Sequence, residues 1–315
     1  MVSPKTLVFH RDKQTGFQQS FHMKINPDFY LKWVLVSLIL TVSTLDAMDK
    51  KIILVAGKPS HGPGDHEFNA GCLLLENCLD KLEGIDAEVH PNGWPADESI
   101  LEKADAVFLY MDGGGGHPAI KPARLKLLEG LMEQGIGLGC AHYAVEVPVG
   151  RPGKAWQKWI GGHYENQFSC NPFWSPEFDT FPDHPITNGV KPFRIRDEWY
   201  FNMRFRPERK GVIPILSAKP SDDVRNGPYV WPKGPYPHIQ EAKGRSELMM
   251  WAVERSDGGR GFGFTGGHVH RNWGNVNYRK TVLNALLWIA KVEVPRDGVK
   301  STISEDFLKL NLDSK

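Results

Sequence analysis

A three-layer α/β sandwich with a mostly parallel sheet and an aromatic, proline-rich insertion is the fold this sequence predicts, on three observations. Short β-branched or apolar runs alternate with stretches of helical period. Several of those runs end in glycine or histidine, as strands do where an open sheet gathers ligands beyond its carboxyl edge. The composition is that of a globular chain, with 315 residues, 41% hydrophobic and 24% charged, enough to bury a sizeable core. Lys and Arg number 38 against 37 Asp and Glu, a net charge of +1. That balance gives no bulk electrostatic case for a nucleic-acid or anionic-membrane partner and points to a small neutral ligand.

The elements follow in order. Trp33 to Leu45 is an uncharged apolar run, shorter than the roughly 20 residues of a spanning helix, and reads as the core of a signal peptide. Lys24 and Lys32 flank it, Ala47 offers a small residue at the cleavage point, and Met23 is the expected true start. Residues 1–47 are thus read as an extension plus signal, 49–298 as the domain and 299–315 as a peripheral tail. The expected location is secreted or periplasmic, without a stable membrane partner after cleavage; an uncleaved anchor is the alternative.

Lys51 to Ala56 is the first strand, followed by a Gly/Pro/His loop and a helix over His66 to Leu82, with Asp65 as its cap and Glu67 facing its positive end. Ile85 to His90 is a second strand, Asp97 to Lys103 a short helix, and Ala106 to Met111 a third strand entering Gly113 to Gly116. A helix over Lys121 to Glu133 leads to a buried strand, Gly137 to His142. Arg151 to Pro237 is expected to be an insertion walling the pocket, with strand candidates at Phe193–Ile195, Trp199–Arg204 and Val212–Ser217. Strands at Leu248–Val253 and Gly261–Thr265 and a helix near Tyr278–Val292 close the domain. Cys72, Cys78, Cys140 and Cys170 are too few and too irregular for a disulfide framework or zinc ribbon, and read as core thiols.

Chemistry is expected where strand ends converge: His61, His66 and Glu67 after the first, Gly114, Gly115 and His117 after the third, His142 and Tyr143 after the fourth, and His268 and His270 near the last. The glycines could present backbone N–H groups to an oxyanion, or could simply form tight turns. The H-E-x-x-H zinc helix is absent because Ala70 stands four residues after His66, and neither a Walker loop nor a G-x-S-x-G elbow occurs. Among the aromatics, Trp94, Trp174, Trp199, Tyr200, Trp231 and Trp273 could offer faces to a sugar ring, Trp199 and Trp273 foremost as neighbours of candidate polar residues.

The runs Gly57–Phe68, Asp112–Pro118, Gly139–Glu146, Asp197–Asn202 and Gly266–Trp273 resemble those of ThuA-like proteins, the trehalose-utilisation family, over about residues 50 to 298. The family is similar to the class I glutamine amidotransferase-like superfamily, which implies a flavodoxin-like sandwich. In that wider group the strand-to-helix elbow carries a cysteine nucleophile. Here His142 occupies that slot, Cys140 lies two residues earlier, and His268 stands where the base would be. An imidazole cannot reproduce thiolate attack, so amidotransfer is not expected.

The resemblance implies carbohydrate catabolism, with keto-disaccharides or glycosides as substrates. A sugar carbonyl acidifies its neighbouring C–H, so a base plus an electrophile at the oxygen could drive isomerisation or elimination. Glu198 is the candidate base, with a salt bridge to Arg196 or Arg204 as its structural alternative. His142 and His268 would polarise the carbonyl directly or through a divalent metal ion, and His66 could complete the set. Two other classes stay open: a sugar-binding protein without turnover, and a thiol amidase or hydrolase using Cys140.

Overall fold

The structure, a computed structural model, describes residues 49–315, so the signal, cleavage point and start expected before residue 48 lie outside the described residues. Seven strands form the central sheet: β1 (Lys50–Ala56), β2 (Ile85–His90), β3 (Ala106–Tyr110), β4 (Gly137–Ala141), β5 (Val212–Ala218), β6 (Glu247–Glu254) and β7 (Arg260–Phe264). Their order is β5-β6-β7-β4-β3-β1-β2. β7, β4, β3, β1 and β2 run parallel, and β6 is antiparallel to both its neighbours.

The two-residue period of the strands feeds two cores. Ile52 and Leu54 of β1 face one layer, with α1 (Phe68–Leu79) and, near the chain's end, Val282 and Leu286. Ile53 and Val55 face the other, with Leu125 and Leu128 of α2 (Pro122–Glu133) and Trp156 of α3 (Arg151–Trp159). The closing helix α4 spans Val276–Ile289 and is capped by Asn275, whose side chain accepts from the backbone N–H groups of Asn277 and Tyr278. Among the described residues no helix is long and apolar enough to cross a membrane.

Four expectations need correction. Trp199–Arg204 does not form a strand; the strands there are Asp197–Glu198 and Arg204–Phe205. Asp65 does not cap the first helix: His66 turns into left-handed backbone at φ 50°, so the helix starts only at Phe68, after Glu67. The strand Val212–Ala218 belongs to the central sheet rather than to the insertion, because it pairs antiparallel with β6. The tail is not peripheral. Val299 and Leu308 are buried, and the backbone N–H of Asp313 donates to Glu67 Oε2 at 2.7 Å. The insertion itself holds α3, short helical turns and two-residue strand pairs, among them Phe173–Trp174 against Asp197–Glu198, which carries Glu198 toward the sheet's carboxyl edge.

Candidate functional site

Four side chains from four chain segments meet at that edge. His66 comes from the loop after β1, His142 from the turn after β4, His268 from the loop after β7, and Glu198 from the insertion. His142, like His66, sits in left-handed backbone, φ 51°, a conformation that costs a non-glycine residue energy and turns its ring back over the strand end. The loops are stitched together by backbone bonds from His66 N–H to the His268 carbonyl (2.9 Å) and from His270 N–H to the Gly64 carbonyl (2.9 Å).

The ring nitrogens converge. His66 Nε2 lies 3.0 Å from His268 Nδ1 and 3.0 Å from His142 Nε2, and the latter pair are 3.3 Å apart. Glu198 Oε2 stands 2.5 Å from His268 Nδ1 and 3.6 Å from His142 Nε2. All four donor atoms lie within 4.8 Å of one another, and all four residues are buried. Each outward ring nitrogen faces an acceptor. His142 Nδ1 donates to the Thr265 carbonyl (3.0 Å), His66 Nδ1 faces Asp112 Oδ1 (3.3 Å), and His268 Nε2 faces Asp65 Oδ1 (3.5 Å). An acceptor outside places the ring proton outside and leaves the inner nitrogen free to donate its lone pair, the usual arrangement behind a metal-binding histidine.

Tetrahedral ligands at roughly 2.0–2.1 Å from an ion stand about 3.3 Å from each other, close to the nitrogen separations here. Three imidazoles and a carboxylate could therefore hold a divalent cation. Their chemistry suits a first-row transition ion better than magnesium or calcium.

Burial and the neighbouring imidazoles push His66 far below the ordinary histidine range. Burial also pulls His268 down, but the Glu198 hydrogen bond and charge overcome it and leave the ring above its ordinary value. Burial raises Glu198, and the facing imidazoles of His142 and His268 bring it back below the usual carboxylate value.

Beside the cluster is a cavity of about 220 Å³, lined by His61, His66, Tyr143, Glu146, Asn171, Glu198, Tyr200, Val230, Trp231 and His268. Glu146, a residue the strand-end reasoning passed over, is pushed up to about 8 by burial and by the charge of Glu198. Asn171, equally unforeseen, donates Nδ2 to Glu198 Oε1 at 2.7 Å. Tyr200 reaches His142 Nε2 at 3.1 Å. Asp197 is a hidden hub: its carboxylate accepts from the backbone N–H groups of Glu198, Gly267 and Val269 and from the Tyr278 hydroxyl, and so sets the loop that carries His268. Its sequence signals were adjacency to Glu198 and its place at the head of the run Asp197–Asn202.

His61 and Tyr143 line the cavity, and the His61 ring lies tilted against that of His66, with centroids 3.7 Å apart. Other candidates are spent elsewhere. Glu67 receives Gly64 N–H and Asp313 N–H and pairs with Lys315, binding loop and tail rather than ligand. His117 is buried under Ala144 and Ala119, with its pKa lowered to about 4 by burial, and His270 bonds the Leu308 carbonyl. Gly114 gives its N–H to the Glu146 carbonyl, and Gly115 is exposed outside the cavity, so neither forms the oxyanion site considered above. Gly114 instead leaves room: a Cβ there would stand 3.3 Å from Glu146 Oε1. Trp199 and Trp273 are fully enclosed core residues. Neither Arg196 nor Arg204 pairs with Glu198; Arg204 bridges Glu165. Cys140 is fully buried in β4 with its thiol pushed well up by burial, which removes it as a nucleophile.

The fold and site together define an α/β protein with a buried three-histidine, one-glutamate cluster at the carboxyl edge of its sheet. The ThuA family, described as trehalose utilisation, matches residues 53–289, and the chain belongs to that family. It is similar in fold to a ThuA-like protein from Bacteroides uniformis ATCC 8492 (TM-score 0.54, 16% identity, covering 78% of this chain and 94% of that one). It is similar likewise to one from Parabacteroides merdae ATCC 43184 (TM-score 0.52, 14% identity, 82% and 94% covered). No curated protein matches the chain. Family membership implies a carbohydrate-related function.

Proposed function

We propose that the cluster holds a divalent first-row transition ion through His66, His142, His268 and Glu198, and that the site acts on a carbonyl-bearing disaccharide or glycoside by isomerisation or elimination. The observation that carries this reading is the convergence of three imidazole nitrogens and one carboxylate oxygen within 4.8 Å, each ring backed by an outer acceptor. Bound there, the ion would act as a Lewis acid on the sugar carbonyl. In this arrangement Glu198 is a ligand rather than the free base expected from the sequence: Asn171 holds Oε1, and Oε2 faces the inner nitrogens of His142 and His268, where the ion would sit.

Proton transfer then falls to groups on the cavity wall. Partial desolvation by its neighbours lowers His61 from the ordinary histidine value, and its ring can take the proton from the carbon beside the carbonyl, whose C–H electron pair moves toward that carbonyl. Glu146 still carries its proton at neutral pH and can pass it to the glycosidic oxygen, which keeps the electron pair of the breaking C–O bond. The exported location is part of the proposal. It is supported by the apolar run Trp33–Leu45 and is tested by N-terminal sequencing, with Met48 as the expected first residue.

Elemental analysis of the purified protein should find about one equivalent of transition metal, lost in His142→Ala. Incubation with oxidised and unoxidised disaccharides, followed by mass spectrometry, should give new products that chelation abolishes and the ion restores. Unchanged turnover after chelation would overturn the metal reading. Sugar bound without any product would leave a binding protein.

A further inference from the structure

We infer that Trp231 is an outer sugar subsite, a flat aromatic platform for the second ring of a disaccharide or glycoside whose first ring occupies the cavity. The inference rests on the site reading above and names the shape of its ligand. Of the nine tryptophans among the described residues, seven are buried, Trp94 is half-buried, and Trp231 alone is 69% exposed while also lining the cavity. A lone exposed ring would need no explanation, but this one stands at the mouth of the site's cavity, where a ligand extending out of the cavity would cover it.

The cavity itself, about 220 Å³, is smaller than the roughly 300–1,000 Å³ that encloses a drug-sized ligand, so it takes one ring and leaves a second outside. The second ring would emerge beside Trp231 and Val230. Its axial C–H groups present an apolar face suited to an indole, while its hydroxyls stay in water.

The backbone that carries the platform is held. The backbone N–H of Trp231 donates to Asn171 Oδ1 (3.2 Å), that of Val230 to the Asn171 carbonyl (3.2 Å), and that of Tyr229 to the Lys233 carbonyl (2.9 Å). Pro228, Pro232 and Pro235 restrict the backbone on either side. A backbone fixed before binding leaves only the side-chain torsions to be ordered when the ring is covered. Asn171 is also the residue that holds Glu198, so one side chain fixes the distance between platform and cluster.

The test compares wild type, Trp231→Ala and Trp231→Phe, each loaded with the same transition ion and with metal content confirmed equal. Disaccharides, oxidised at one ring or unoxidised, and the matching monosaccharides are titrated by calorimetry. Trp231→Ala should weaken the tightest-binding disaccharide about tenfold and leave its monosaccharide unchanged, and Trp231→Phe should restore most of the loss. Disaccharide affinity that is indifferent to Trp231→Ala overturns the subsite alone. Equal weakening of both sugars does the same, because the residue would then act on the cavity. A wild-type protein that holds the metal and binds no sugar overturns the site reading and the subsite together.

Discussion

Asn171 donates its amide to Glu198 Oε1 at 2.7 Å, and that bond turns the other carboxylate oxygen toward His142 and His268. Two short strands of the insertion bring Glu198 to the sheet edge, but a carboxylate on a free χ3 torsion could face either way. The amide removes that freedom. Asn171→Leu should therefore weaken transition-metal affinity about 10–100-fold while the fold persists, as loss of an outer partner typically does. Competition with a chelating dye measures it, and unchanged affinity would show that His268 alone orients the carboxylate.

Glu146 makes stability fall with pH. Its ordinary value is 4.5 and its folded value about 8, so between those limits the folded state keeps a proton that the unfolded chain has released. The resulting contribution is fully present below about 4.5 and is lost as pH rises through 8. Glu146→Gln, always neutral, should gain more than about 1 kcal/mol on the wild type between pH 5 and pH 9. Urea unfolding at the two pH values reads the difference, and parallel pH profiles of the two proteins would refute it. The same variant should lose turnover if Glu146 is the proton donor.

Cys140→Ala should leave activity intact. The thiol is enclosed in β4, two residues short of the turn, and burial keeps it protonated. Loss of turnover together with normal metal content would restore the thiol mechanism.

Asp197→Asn should destabilise the fold by roughly 1–3 kcal/mol, because an amide NH₂ would face backbone donors and leave buried groups unsatisfied. The chain would also lose its hold on Gly267 and Val269, on either side of His268. Metal affinity should therefore fall along with the unfolding midpoint. A drop in stability with full metal affinity would make Asp197 a structural residue only.

How much of this was legible in the chain depended on locality. Strands such as Ala106–Tyr110 and Gly137–Ala141 announce themselves because side chains two apart share a face and both faces are buried, which leaves an unbroken apolar run. His66, His142 and His268 could be picked out because strand ends in such a sheet point to one rim. Val212–Ala218 read as insertion because strand order is not written in local pattern, and its partner Glu247–Glu254 is distant in sequence. Trp199 and Trp273 misled for a related reason. Nearness along the chain to polar residues says nothing about facing, and both rings turned inward to pack against Phe264 and Tyr278.

The amino-acid sequence alone determined the layered α/β class, the family blocks and the rim at which the imidazoles gather, since these follow from period, residue type and short-range turns. Only the tertiary structure decided that Glu198 joins the three histidines, that Glu146 and Trp231 share their cavity, and that Glu67 and His270 serve the tail. Those outcomes depend on torsions, hydrogen bonds and ion pairs between residues as far as 248 positions apart, as Glu67 and Lys315 are, and no local pattern encodes such contacts.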